Sequence, residues 1–161
     1  MEKAMQAARP DAANRLNVLL SEAEQPWAAN LPRLLEPQGV RALCARDVDQ
    51  ALQIIEHETI HAAVIDMALP LGRDEPAPAG QTGGLKLLRV IQRLSPTPPA
   101  VVVRGRSFDR MDDRLLGQAL KLEAFSVLDR PVQLEQMLEV LRRLLKRFYG
   151  DAWPGGRLAG E

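Results

Sequence analysis

Four short apolar runs, at residues 17–20, 62–65, 100–103 and 125–128, set the strongest limit on what this chain can fold into. Each is about four residues long, carries β-branched or bulky side chains, and does not alternate with polar positions. A strand with one wet face alternates. An unbroken run fits a strand covered on both faces, as in a parallel sheet. Residues 40–45 give a weaker fifth run in which Val40, Ala42 and Cys44 share one face, and Cys44 reads there as a small core residue.

Helical spacing fills the gaps between the runs. Trp27, Leu31, Leu34 and Leu35 fit one face of a first helix, entered by Pro26, with Pro32 expected to kink it. Val48, Ala51, Leu52 and Ile55 fit a second, with Asp47 as its N-cap. Leu85, Leu88 and Ile91 mark a third. Met111, Leu115, Leu116 and Leu120 mark a fourth, capped by Ser107 or Asp109. Leu134, Met137, Leu138, Leu141, Leu144, Leu145 and Phe148 mark a fifth. Strand then helix, five times over, predicts an α/β fold with a doubly wound five-stranded parallel sheet. In such sheets the functional crevice lies beyond the carboxyl ends of the strands. Those ends read Ser21-Glu22-Ala23-Glu24, Asp66-Met67-Ala68, Arg104-Gly105 and Asp129-Arg130-Pro131: acids and arginines in one place.

The chain resembles a receiver domain, the phosphoryl-accepting module of bacterial two-component response regulators, over about residues 15–148. The residues that carry the likeness are Val64-Ile65-Asp66-Met67-Ala68-Leu69-Pro70, Gly84-Leu85-Lys86 opening the third helix, Ser95-Pro96, and Leu128-Asp129-Arg130-Pro131. The resemblance implies a (βα)5, flavodoxin-like sheet of strand order 2-1-3-4-5. It implies Asp66 as the phosphoacceptor, served by a histidine kinase. It also implies three helpers: two acids after the first strand that hold magnesium, a lysine before a cis-proline that pairs with the phosphoryl group, and a threonine or serine ending the fourth strand that closes onto it.

The chain departs from that pattern at all three supporting positions. The acidic pair reads Glu22-Ala23, with Glu24 as the nearest replacement. Arg130 stands at the lysine position and Arg104 at the hydroxyl position, while Val127 replaces a frequent tyrosine or phenylalanine. Two readings follow. In one, Glu22, Asp66 and the Ala68 carbonyl hold magnesium weakly while Arg130 and Arg104 clamp the phosphoryl oxygens, since arginine forks suit phosphate. In the other, Asp66 is permanently paired with Arg130 or Arg104, magnesium is absent, and the chain is a phosphorylation-independent interaction module.

His57-Glu58-Thr59-Ile60-His61 also matches H-E-x-x-H, the zinc signature of metallopeptidases, which gives a remote third reading as a zinc hydrolase. That chemistry needs both rings on one helix face and a third ligand. The receiver register instead ends the helix near Glu58 and leaves two surface histidines. Residues 70–84, with three prolines and four glycines, form a long loop after strand 3 that either covers the acidic site or is a tolerated insertion. Arg142, Arg143, Lys146 and Arg147 read as cations favouring the end of the last helix rather than a nucleic-acid surface.

Length and composition bound the rest. The chain has 161 residues, with 21 basic and 21 acidic side chains. The balanced charge gives no general attraction for nucleic acid. No apolar run suits a membrane span and no leader pattern opens the chain. One cysteine fits a reducing, cytoplasmic setting. The expected organisation is a polar arm at residues 1–15, a receiver-like domain at 16–148 and a flexible tail at 149–161. Such a stand-alone receiver is no enzyme in the usual sense. Its output passes through protein contacts, with a histidine kinase or other signalling protein as partner and a homodimer expected through residues 109–148.

Overall fold

In the computed structural model the described residues are 15–21, 26–72, 83–104, 117 and 124–150. The strands are β1 (Leu16–Ser21), β2 (Val40–Ala45), β3 (Ala62–Asp66), β4 (Ala100–Arg104) and β5 (Ser126–Asp129). The helices are α1 (Leu31–Leu35), α2 (Val48–His57), α3 (Gly83–Gln92) and α4 (Leu134–Tyr149). All strand pairs are parallel, in the order β2-β1-β3-β4-β5. The fourth-helix expectation at residues 111–120 and its caps, the arm, the tail and most of the 70–84 loop lie outside the described residues.

The unbroken apolar runs follow from two cores, one on each side of the sheet. Leu16, Val18, Leu20, Val64, Val101 and Val103 face one side with α1 and α4. Leu19, Ala63, Ile65, Ala100 and Val102 face the other with α2 and α3. Successive side chains point to opposite faces, so a strand buried on both needs an apolar residue at every step.

Four local features differ from expectation. β2 is an edge strand, with only its end residues Val40 and Ala45 buried, so Cys44 is exposed rather than a core residue. The first helix is not continuous: a 3-10 turn at Pro26–Ala29 breaks at Asn30 before α1 begins. Pro32 therefore sits in a new first turn, where its missing N–H costs nothing, and it kinks no helix. Leu34 lies on the wet side, 41% exposed, because so short a helix buries only Leu31 and Leu35.

The third difference concerns His61, which is buried and not on the surface. Its Nδ1 accepts from the Asn17 N–H at 2.8 Å, and its own N–H donates to the Asn17 carbonyl at 2.8 Å. Tyr149, expected to open the flexible tail, is instead the last residue of α4 and is buried. Its hydroxyl donates to the His61 carbonyl at 2.5 Å, and its ring meets the His61 ring edge-on at 5.6 Å. Gly150 then ends the helix at φ 42°, a conformation that favours glycine.

Burial pushes the Tyr149 phenol well above its ordinary 10. The folded state therefore holds that proton more tightly than the unfolded chain does. Its contribution to stability is complete below pH 10 and is lost as the pH rises above it. Tyr149→Phe removes the hydrogen bond to the His61 carbonyl and is expected to cost about 1–2 kcal/mol at neutral pH. Urea denaturation at pH 7.5 and at strongly alkaline pH checks both parts: the variant starts less stable and loses less on going alkaline.

Candidate functional site

The carboxyl edge of the sheet brings together the last residues of three neighbouring strands. β3 ends in Asp66, β4 in Arg104 and β5 in Asp129, with Arg130 following. The parallel register sets them side by side: Asp66 stands opposite Val103, and Arg104 opposite Asp129. The Arg130 N–H donates to the Arg104 carbonyl at 3.0 Å, which carries the β4–β5 ladder one residue past the strand. The Arg130–Pro131 peptide is cis.

Asp66 is a buried carboxylate, 1% exposed, so its charge needs partners. The Asp66 Oδ1 accepts from the Ala68 N–H at 2.9 Å, the local turn that aspartate favours. The Asp66 Oδ2 accepts from an Arg130 guanidinium nitrogen in an ion pair. Arg104 pairs through Nε with Asp129, whose side chain is 62% exposed. Of the two partners offered for Asp66, Arg130 or Arg104, the ion pair is made by Arg130.

Backbone packing holds the acid in place. The Met67 N–H donates to the Val103 carbonyl at 2.9 Å and the Leu69 N–H to the Asp66 carbonyl at 3.0 Å. The chain then crosses the start of α2, where the Pro70 and Leu71 carbonyls accept from the Val48 and Asp49 N–H groups at 2.9 and 3.2 Å. Those donors have no partner inside the helix. Asp47 supplies the expected cap as well, accepting from the Gln50 N–H at 2.8 Å. Gly84 opens α3 against the same segment: a Cβ there would lie 2.4 Å from the Asp66 carbonyl oxygen and 2.5 Å from the Met67 Cα. Only glycine fits.

The other sequence candidates separate. Glu22 and Glu24 lie outside the described residues. Ala68 is exposed next to Asp66, and Val127 is half-buried against the α2–α3 core. Among the described residues no group of three histidine, cysteine, aspartate or glutamate side chains is placed to hold a metal ion. At Asp66 each carboxylate oxygen already accepts one hydrogen bond, from Ala68 and from Arg130. The zinc reading is overturned. α2 ends at His57, Glu58 and Thr59 are not helical, and the His61 Nδ1 is committed to a backbone N–H.

The sequence is 26% identical over 139 residues, 86% of this chain, to the response regulator MprA of Mycobacterium sp. strain KMS, and spans 54% of that relative. The chain thus covers about half the length of the curated relatives it matches. No family model matches it. Among solved structures it superposes on the signal receiver domain of an HD domain-containing protein from Pseudomonas fluorescens Pf-5. That match has a TM-score of 0.66 at 24% identity and covers 85% of this chain and 99% of the other. A CheY-like receiver domain protein from Methanospirillum hungatei JF-1 gives 0.64 at 21%, covering 83% and 96%.

The fold is that of a response-regulator receiver domain.

Within the receiver fold, Asp66, Arg130 and Arg104 occupy the ends of β3, β5 and β4 that the resemblance assigned to acceptor, lysine and hydroxyl. A further match is a response regulator from Burkholderia pseudomallei with a phosphorylated aspartic acid, calcium ion and citrate. It has a TM-score of 0.59 at 25% identity and covers 78% of this chain and 66% of the other. Sequence reasoning missed the caps given by Pro70 and Leu71, and Ser21, whose hydroxyl donates to the Val64 carbonyl at 2.7 Å. No motif marks either. They arise where chain segments far apart in sequence meet.

Two outcomes test this geometry. Gly84→Ala is expected to destabilise the receiver by about 1–3 kcal/mol, because the Asp66–Met67 backbone cannot retreat; an unchanged denaturation midpoint contradicts the close approach. Millimolar magnesium is expected to leave the melting temperature unchanged, since binding at Asp66 must first displace Arg130. A clear rise on adding the ion contradicts the occupied pocket.

Proposed function

We propose that this chain acts as a receiver in two-component signalling, with Asp66 as the residue that takes the phosphoryl group. The observation that carries the reading is the position of Asp66 at the carboxyl end of the central strand β3, with a guanidinium on one of its oxygens. An oxygen of the Asp66 carboxylate attacks the phosphorus of a phosphohistidine or a small acyl phosphate. An O–P bond forms, the bond from phosphorus to the donor breaks, and the leaving group keeps that electron pair. Arg130, a fork of five N–H donors, passes from the carboxylate to the phosphoryl oxygens without leaving the site. A histidine kinase is the partner that supplies phosphate. Output passes through protein contacts, with residues 109–148 as the segment through which a second copy is met.

One observation favours a second reading. Asp66 is 1% exposed and both its oxygens are engaged, which suits a receiver-like module held in one state by Arg130. Intact-protein mass after incubation with acetyl phosphate, with and without magnesium, decides between them. The first reading predicts an adduct of one phosphoryl group that is absent in Asp66→Ala. No adduct, or an adduct that survives the substitution, overturns Asp66 as acceptor and leaves the interaction module.

A further inference from the structure

We propose that the segment following α4 crosses the foot of the sheet and seats the Trp153 ring in a cavity between the ends of α2 and α3. The contact fastens that segment to the receiver at the edge of the sheet opposite Asp66. It stands apart from the reading of Asp66 as phosphoacceptor and survives if that reading fails.

The cavity has a volume of about 220 Å³. Its apolar wall is Ile55, Ile60, Leu94 and Pro96, and its polar wall is Glu58, Thr59 and Ser95. Thr59 and Ile60 lead into β3, while Ser95 and Pro96 precede β4, so the cavity opens at the amino ends of the strands. Ile55 and Leu94 pack against the α2–α3 core yet are only half-buried. They mark where that core is left uncovered. An apolar slot with a carboxylate and a hydroxyl at its wall fits a flat aromatic ring that carries one N–H donor, which is the chemistry of an indole.

The chain leaves the fold beside this slot. The Tyr149 hydroxyl at the end of α4 is bonded to the carbonyl of His61, the residue that directly follows Ile60 of the cavity wall. Gly150 then ends the helix at φ 42°. The α4 core and the α2–α3 core lie on opposite sides of the sheet, so the segment has to pass under the start of β3, where Tyr149 already holds it. Trp153 is the first large apolar side chain after α4 and stands three residues past Gly150. An extended chain advances about 3.3 Å per residue, which carries its Cα about 10 Å from Gly150. Pro154 restricts the residue before it to extended backbone, so less conformational freedom is lost when the ring is seated.

The test reads the fluorescence of Trp153 as the difference between the full chain and Trp153→Phe, which retains Trp27 in both. The proposal expects emission to the blue of N-acetyltryptophanamide and several-fold weaker quenching by acrylamide, both unchanged on tenfold dilution. Two cavity variants should return both readings to those of the free indole. Ile55→Glu places a charge in the slot, and Ser95→Phe fills it with a tethered ring. Ser95 is exposed, so its variant keeps the test decisive if Ile55→Glu does not fold. Free-indole emission from the unaltered chain overturns the proposal. So does a blue emission that survives Ser95→Phe, because the ring is then seated elsewhere. Emission that reddens on dilution also overturns it, since the ring then comes from a second copy.

Discussion

The ion pair between Asp66 and Arg130 is the interaction on which the rest of the site depends. A carboxylate 1% exposed at the end of the central strand is unfavourable unless its charge is met, and Arg130 meets it from just beyond the end of β5. Everything around the pair serves to keep it assembled. The β3–β4–β5 register sets the strand ends level, the Ala68 N–H takes the second oxygen, and the bond from Arg130 to the Arg104 carbonyl fixes where the guanidinium starts. The segment after Asp66 is pinned twice more, by the first N–H groups of α2 and by the bare Cα of Gly84.

Replacing a lysine by arginine at this point changes the physics as well as the residue name. An ammonium is a compact point charge, whereas a guanidinium spreads its charge over a planar fork that suits oxyanions. At Arg130 that fork already meets an oxygen of Asp66. A second arginine, Arg104, ends the neighbouring strand and pairs with Asp129.

How much of this was legible in the sequence depends on whether the cause is local. Strands show themselves because two-sided burial demands a largely apolar run, as in β1, β3 and β4, while the edge strand β5 shows it only in part. The Asp47 cap is equally local, since donor and acceptor are three residues apart. Asp66, Arg104 and Arg130 were visible because a doubly wound sheet puts strand ends together whatever the loops do. Residues whose surroundings are set by distant chain were not legible. Cys44 looks like core by alternation, yet an edge strand leaves it exposed. His61 looks like surface, yet Asn17 and Tyr149, 44 and 88 residues away, enclose it. The division of the arginines between Asp66 and Asp129 is of the same kind: composition supplies two cations and two acids, and only the register pairs them.

The most direct test of the account is a double-mutant cycle on Asp66 and Arg130, read by equilibrium denaturation of Arg130→Met, Asp66→Asn and the double variant. If the buried pair organises the site, Arg130→Met alone is the costliest, up to about 3–5 kcal/mol as for a stranded buried charge. The double variant recovers a large part of that loss, giving a coupling energy above about 1 kcal/mol. Additive effects, with the double variant less stable than either single one by the sum of both, would contradict it. Asp66 and Arg130 would then be neighbours at a strand edge and not the interaction that holds the site together.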